Sequence, residues 1–482
     1  MTTANPSPYR SLPAVDRLLR LQDRALREDG SEVSARLKTE AARRLLEELK
    51  ERIRQGGGVT AQDVDDAALS ERLDELRATI DRPAHRRVLN LTGILLHTGL
   101  GRAPLAERAR MALLEASRQA YVEVSAETGE RNRREDVVAL HLCALTGAEA
   151  ATVLNNNAAA TLLGLQALAE GSEVIVSRGE LVEIGGGFRM PDVMRQAGCK
   201  LVEVGATNKT RVADYAAAIG PETGCLLKVH PSNFRIEGFF AEATLRELTA
   251  LGREHALPVM EDLGSGWLLD EPLPHDAREP GVLASVASGA DLVTFSGDKL
   301  FGACQAGFVV GRREAVERVK RHPLYRALRL GKCELAALEA TLLIYRFGEP
   351  KLEIPILRAM YTSTEELEAR ARVLAGQIAS QIAAIGYAVR VAPSESFVGS
   401  GASPARPIPS RALFLLRSTD AAPSLSEVTR RLRLATPAVF ARIEDDRIVL
   451  DLRSLPSSDD HDFLTVLLAV LRAIAAEAVD QA

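Results

Sequence analysis

The sequence predicts an α/β fold: a mostly parallel sheet covered by helices, preceded by a helical domain and followed by a small α+β domain. Three observations carry this. Between Arg87 and about Tyr345, short β-branched runs alternate with amphipathic stretches, the pattern of strand–helix–strand units. Residues 1–55 instead repeat apolar residues at helical spacing. At 482 residues the chain is too long for a single core, so two or three domains are expected.

The N-terminal stretch places Leu37, Ala41, Leu45, Leu49 and Ile53 four residues apart, on one helix face. It holds 12 Lys/Arg against 9 Asp/Glu, a local +3 in a chain of net charge −5. Gly56, Gly57 and Gly58 break the helix and read as a hinge, and a second helical piece runs to about Ile80. Pro83 ends it, which sets the first domain at 1–82. Strands are expected at Ala151–Leu154, Glu173–Val176, Lys200–Val204, Cys225–Val229, Pro258–Met260, Leu292–Phe295 and Gly307–Val310, within a large domain over 83–347. A smaller domain, 348–482, has strands at Ala412–Leu416 and Arg447–Leu452 and helices at Ser424–Leu432 and Phe463–Ala476. Its stretch Ala392–Pro409, rich in Ser, Pro and Gly, reads as a surface loop.

Composition excludes several classes. The net charge gives no global reason to bind nucleic acid, so any RNA contact is local. Cys143, Cys199, Cys225, Cys304 and Cys333 are odd in number and lack CxxC spacing. That argues against a disulfide framework and a cysteine zinc site, and no metal is expected. The start, MTTANPSPYRSL, has no apolar core of a signal peptide, and no run approaches the ~20 apolar residues of a membrane span. A soluble cytoplasmic protein is expected.

In parallel sheets ligands bind beyond the carboxyl ends of strands, so the chemistry is sought there. In Thr294–Leu300 a strand ends, Ser296 and Gly297 turn the chain, and Lys299 sits on the turn. A Schiff-base lysine needs that placement and a lowered pKa, and Ser296 is placed to bind a cofactor phosphate. The plainer reading is a solvated loop lysine. Asp262 closes an earlier strand, 37 residues before Lys299. A lysine with such a carboxylate is the pair that serves pyridoxal 5′-phosphate (PLP), whose ring nitrogen must stay protonated. A helix N-cap is the alternative for Asp262. Asn155, Asn156, Asn157 and Ala158 follow another strand and open an Ala-rich helix, an anion site for the cofactor phosphate or simply a capped turn. His230 also follows a strand, to stack on the ring or to serve a structural role. Arg326 and Arg329, three apart, suit a phosphate-like substrate, or form a solvated face.

The segments YRSLPAVDRLL, RVLNLTGILLHTGLGRAPL, LTGAEAATVLNNNAAATLL, SRGELVEIGGGFRMPDVM, VEVGATNKT, KVHPSNFRIEGF, EDLGSG, TFSGDKLFGACQAG and HPLYRALRLGK occur in register. Together they resemble bacterial selenocysteine synthase, the L-seryl-tRNA(Sec) selenium transferase family, from about Tyr9 to the DLRSL segment at Asp451. The resemblance implies the PLP-dependent fold type I of aspartate aminotransferase, and a large homo-oligomer, a ring of dimers. It implies an N-terminal domain that binds the selenocysteine tRNA, and conversion of seryl-tRNA(Sec) to selenocysteinyl-tRNA(Sec) with selenophosphate. Lys299 matches the family's Schiff-base lysine, and Arg102, Arg326 and Arg329 match the arginines around the selenium donor.

The sequence departs from the family pattern at six positions. Gly99 stands where Asn is typical, Asn132 for Gly, Ala206 for Thr, Ala303-Cys304 for Gly-Pro and Gly331 for Asp. These departures bear on substrate and donor more than on the cofactor. They leave open a related PLP-dependent lyase or eliminase acting on a small amino acid or amino-sugar acid. A catalytically silent RNA-binding protein is the third reading, against which Lys299 and Asp262 weigh.

Overall fold

A computed structural model describes residues 8–29, 32–234, 236, 238–276, 279–399, 406–419 and 422–480. The N-terminal segment read for a signal peptide lies largely outside them. The chain divides into two compact units, residues 1–86 and 87–482.

The first unit is helical: α1 (Val15–Asp29), α2 (Ala35–Arg54) and α3 (Asp66–Ile80). Ser34 and Asp65 start α2 and α3 by accepting backbone N–H groups of the first turn. Gly56, at φ 83°, takes the left-handed conformation that follows the end of α2. The middle of the expected stripe, Ala41, Leu45 and Leu49, is buried against Leu18, Leu69 and Leu73. Buried Gln22 links the three helices: its amide donates to the Lys38 carbonyl at 3.0 Å and accepts from Arg77 at 3.1 Å.

The second unit adds α4 (Glu107–Ala116), α5 (Asp136–Thr146) and α6 (Asn157–Ala169). Its strands are β1 (Val88–Asn90), β2 (Ala150–Leu154), β3 (Glu173–Ser177), β4 (Glu183–Ile184), β5 (Phe188–Arg189), β6 (Lys200–Val204), β7 (Thr223–Val229), β8 (Val259–Gly264), β9 (Leu292–Ser296), β10 (Gly307–Gly311), β11 (Tyr387–Phe397), β12 (Pro407–Arg417), β13 (Ala438–Phe440), β14 (Arg442–Glu444) and β15 (Arg447–Asp451). The main sheet runs β2-β10-β9-β8-β7-β3-β6, with only β10 antiparallel to its neighbours. Both faces are buried. Ile175, Leu226 and Val293 enter one core, and Val174, Leu227 and Leu292 enter the other. That is why these strands read as continuous apolar runs rather than alternating ones.

The C-terminal part carries an antiparallel sheet, β11-β12-β15-β14. β1 pairs in parallel with β13, and Leu89 and Leu91 join the core under that sheet. The expected loop 392–409 is strand at both ends, while residues 400–405 of it lie outside the described residues. Ser394 and Ser396 of this stretch, with Ser410 just after it, donate to the buried carboxylate of Asp451 at 2.7–2.9 Å. The polar residues of its strand part mark an internal hydrogen-bonded cluster.

Candidate functional site

The site forms where β2, β8 and β9 end. Asp262 on β8 lies in register with Thr294 on β9. A bulge follows Asp262, and Gly264 and Gly266 take φ of 73° and 79°. Lys299 follows the end of β9. Its Nζ lies 3.8 Å from where a Cβ on Gly264 would stand, which places the amine against this turn. The lysine is 5 % exposed. Burial, aided by the Arg102 charge, lowers the pKa of its amine, with Asp262 and Asp298 opposing.

Asp262 is buried, and burial raises its carboxyl above the usual range against the hydrogen bond from Asn157. Its close bonds fall on Oδ1, which accepts from Asn157 Nδ2 at 2.8 Å and from the Thr294 hydroxyl at 3.4 Å. The Asn157 Oδ1 is buried with no partner among the described residues. An acceptor left open beside Asp262 is the mark of a site completed by something bound.

Asn156 caps α6, its side chain accepting from Ala159 N at 2.8 Å. The Asn157 and Ala158 N–H groups begin the helix and have no acceptor within it, which makes an anion site. Gly307 on β10 permits this turn: a Cβ there would stand 2.1 Å from the Asn156 carbonyl oxygen. Ser296, 5 % exposed, is the last residue of β9, shortly before Lys299.

His230 is tied to the site through its backbone N–H, which donates to the Asp262 carbonyl at 2.9 Å. Its ring Nε2 lies 3.2 Å from Glu279 Oε2. Burial lowers the imidazole's pKa, but the bond and charge of Glu279 outweigh it, so the net direction is up.

The arginines divide. Arg102 has φ 62°, a strained conformation for a residue other than glycine, and its Nη1 lies 3.3 Å from Asp298 Oδ2. Asp298 adjoins Lys299 and was missed by the sequence reading; a carboxylate next to the candidate lysine was the available signal. Arg329 reaches Glu123 at 3.5 Å. Glu123 also holds Arg134 and Arg131, and these cations bring its carboxyl down to about 2, Arg134 contributing most. The Leu328 carbonyl accepts from Asn155 N at 2.8 Å, which seats the Arg326–Arg329 segment against the asparagine turn. Arg326 is exposed, and neither it nor Arg329 bonds to Lys299, Asp262 or the three asparagines among the described residues.

Among the departures, Gly331 occupies the N-cap of the helix Lys332–Phe347, without a side-chain cap. Cys304 Sγ donates to the Glu334 carbonyl at 3.6 Å, and burial pushes its thiol up to about 12, an inert state. No group of three or more His, Cys, Asp or Glu is arranged for a metal among the described residues, and no described helix is long and apolar enough to cross a membrane.

A buried amine of lowered pKa, a buried carboxylate beside an unpartnered amide oxygen and a capped helix N-terminus fit one group: a pyridine ring bearing an aldehyde and a phosphate arm. The comparisons agree in direction. The L-seryl-tRNA selenium transferase family model (SelA) matches residues 88–456. An L-seryl-tRNA(Sec) selenium transferase of Rhizobium meliloti is 44% identical over 466 residues, covering 96% of this chain and 98% of that protein. The protein of that name from Moorella thermoacetica is 45% identical, covering 96% and 97%. The one from Methylocella silvestris is 46% identical, covering 98% and 99%. Among solved structures, D-glucosaminate-6-phosphate ammonia-lyase superposes with a TM-score of 0.55 at 22% identity, over 82% of this chain and 97% of that one, which shows a shared fold. The α/β fold of type I expected from the sequence is therefore the fold observed, and the chain belongs to the L-seryl-tRNA selenium transferase family.

Proposed function

We propose that this protein converts L-seryl-tRNA(Sec) to L-selenocysteinyl-tRNA(Sec), with selenophosphate as donor and PLP held at Lys299. The observation that carries the proposal is the buried Lys299–Asp262 pair in a chain that aligns over nearly its whole length with transferases of that name.

Bound at Lys299, PLP would supply an electron sink for negative charge at the serine Cα. The residues of the chain supply the rest. The lowered pKa of Lys299 keeps a larger share of its amine unprotonated, first to hold the cofactor and then to take the Cα proton. Asp262 keeps the proton on the ring nitrogen; a cation placed there restores the carboxylate that burial alone disfavours. The N–H groups opening α6, together with Ser296, bind the phosphate arm. His230, fixed by Glu279, covers the ring. The serine Cβ–O bond breaks and its hydroxyl leaves as water. Selenium then bonds Cβ, Cα regains a proton, and water cleaves the phosphorus–selenium bond to free phosphate. Arg102, Arg326 and Arg329 bind the donor's oxygens, with Asp298 orienting Arg102.

The partners follow from the same reading. The helical domain, residues 1–82, docks the tRNA through the excess positive charge of its first 55 residues. A homo-oligomer covers the exposed Met111, Leu114, Val137, Leu140 and Phe347, which lie on α4, α5 and the helix Lys332–Phe347 that packs between them. The reaction takes place in the cytoplasm, where aminoacyl-tRNA is made.

The test is turnover by the purified, PLP-loaded protein with radiolabelled selenophosphate and either seryl-tRNA(Sec) or free serine. Label entering the aminoacyl-tRNA is expected. Consumption of free serine, or of an amino-sugar acid, with none of the charged tRNA would replace this reading with the lyase.

A further inference from the structure

The chain is poor in aromatics, with 12 phenylalanines in 482 residues, yet three of them fall within residues 234–240. Phe234, Phe239 and Phe240 are 40 %, 78 % and 46 % exposed. The backbone at Phe239 and Phe240 is held by bonds to residues 208–210. Thr210 N donates to the Ala241 carbonyl at 2.9 Å, Ala241 N to Asn208 at 3.1 Å, and the Asn208 side chain to the Phe239 carbonyl at 2.6 Å. Lys209 Nζ caps the Phe239 ring at 4.1 Å from its centroid.

Phe234 and Phe240 line a cavity of about 340 Å³ between the ends of β3, β7 and β8, with Asn208 and Ser232 at its edges. That is the size of a small-molecule site, about 300–1,000 Å³. Its position relative to the amine is fixed by Gly264. Ser232 Oγ and Lys299 Nζ lie 3.7 and 3.8 Å from the same point, where a Cβ on that glycine would stand. One wall of the cavity, Ser232, therefore lies close to the group that receives the serine. The charge of the cavity disfavours phosphate. Of its two lysines, Lys228 is already paired with Glu180 and Glu242 at 2.7 Å each and Lys209 lies over the Phe239 ring, while Glu261, Asp276 and Glu279 add further carboxyls. An uncharged flat ring with polar edges suits such walls, since aromatic side chains stack on any base.

We infer that this cavity receives the base of the terminal nucleoside of the aminoacyl-tRNA, the nucleoside whose ribose carries the serine ester. The inference rests on the tRNA reading above and deepens it. It gives the site a means to prefer esterified serine over free serine, because only the ester brings a base with it.

The probe is a ribotrinucleotide CCA analogue with 2-aminopurine as its 3′ base, whose fluorescence is quenched on stacking. It is titrated into the full-length, PLP-loaded protein. Saturable quenching is expected. Phe234→Ala and Phe240→Ala should each weaken it on the order of tenfold. The KM for seryl-tRNA(Sec) should rise by a similar factor with kcat and cofactor absorbance held. Phe240→Leu keeps the apolar bulk and should weaken binding as well, which separates stacking from folding. Absence of saturable quenching by the wild type would overturn the inference, as would quenching that the phenylalanine variants leave unchanged. So would a smaller oligomer in those variants with quenching intact, since the rings would then be covered by another copy of the chain. The trinucleotide assay involves no selenium chemistry, so a wild type that quenches but transfers no selenium refutes the reaction and not the base site.

Discussion

Asp262 and Asp451 are both buried carboxylates in β-strands of the same unit, and they are treated in opposite ways. Asp451 is fully buried and saturated. Three seryl hydroxyls and the Arg453 N–H donate to it, and Arg442 lies 3.7 Å away. Asp262 accepts from Asn157 and Thr294 on Oδ1, Thr161 also favours its charge, and burial still raises its pKa, while the Asn157 oxygen beside it has no partner among the described residues. Buried polar groups are normally satisfied, and each exception asks for an explanation. A saturated carboxylate stitches strands together and has nothing left to give. A buried carboxylate whose donors do not outweigh its burial disfavours its own ionisation until a cation arrives. The difference sets a carboxylate at ease with its charge apart from one that burial holds against it.

The largest effect belongs to the functional side. Lys299→Ala should leave the fold intact and turnover below detection, with no cofactor fixed to the protein by borohydride. Cofactor still fixed covalently would move the reactive amine elsewhere. Next comes Asp451→Ala, which leaves the network of donors around it without an acceptor. Loss of a buried charged partner costs about 3–5 kcal/mol, so the urea midpoint should fall sharply. A midpoint close to that of the wild type would break the comparison. Asp262→Asn should do the reverse. The amide carbonyl still accepts from Asn157, and the burial cost of the charge is removed, so the cofactor-free protein should be no less stable. Turnover should fall about 10²–10³-fold, the usual loss when one fixed electrostatic partner of the reacting group is removed. A smaller expected effect concerns the ground beside Asp451. Gly93, at φ 78°, would place a Cβ 2.5 Å from Arg442 Nη1 and 3.0 Å from Asp451 Oδ2. Gly93→Ala should cost about 1–3 kcal/mol of stability and leave the cofactor absorbance unchanged.

The same contrast explains what was legible in the sequence. The strands of the main sheet were legible because burial on both faces makes each a continuous apolar run, and Asp262 and Ser296 stand out at the ends of such runs. β11 was not, because Pro393, Ser394 and Ser396 look like loop residues until Asp451, some 55 positions later, is seen to accept from the serines. The β1–β13 pair was illegible for a related reason: two three-residue strands 350 positions apart give no local signal. Within the site, Lys299, Asp262 and the asparagine turn could be argued from local chemistry. Arg102, Arg326 and Arg329 came from resemblance, since solvated arginines have the same local look. The carboxylates that hold the side chains, Asp298 for Arg102, Glu279 for His230 and Glu123 for Arg329, are partners by folding and become visible only in three dimensions.

The smallest effect sharpens the comparison through pH. Burial lowers the pKa of Lys299, so in the cofactor-free protein its charged form is disfavoured by folding. Below that lowered value the amine is protonated in both folded and unfolded chains, and the full cost of burying the charge is present. Between it and the ordinary lysine value of about 10.4, the unfolded chain holds a proton that the folded one has released. The unfolded state then binds more protons, and stability rises with pH across that window. Above about 10.4 both forms are neutral and the cost is gone. Lys299→Met keeps the stem and removes the titration. The cofactor-free variant should be the more stable of the two at neutral pH, and the gap between the urea midpoints should close as pH climbs toward the lysine value. Parallel curves would mean that the amine is not held against its charge, and the account of Lys299 as a primed nucleophile would fall with them.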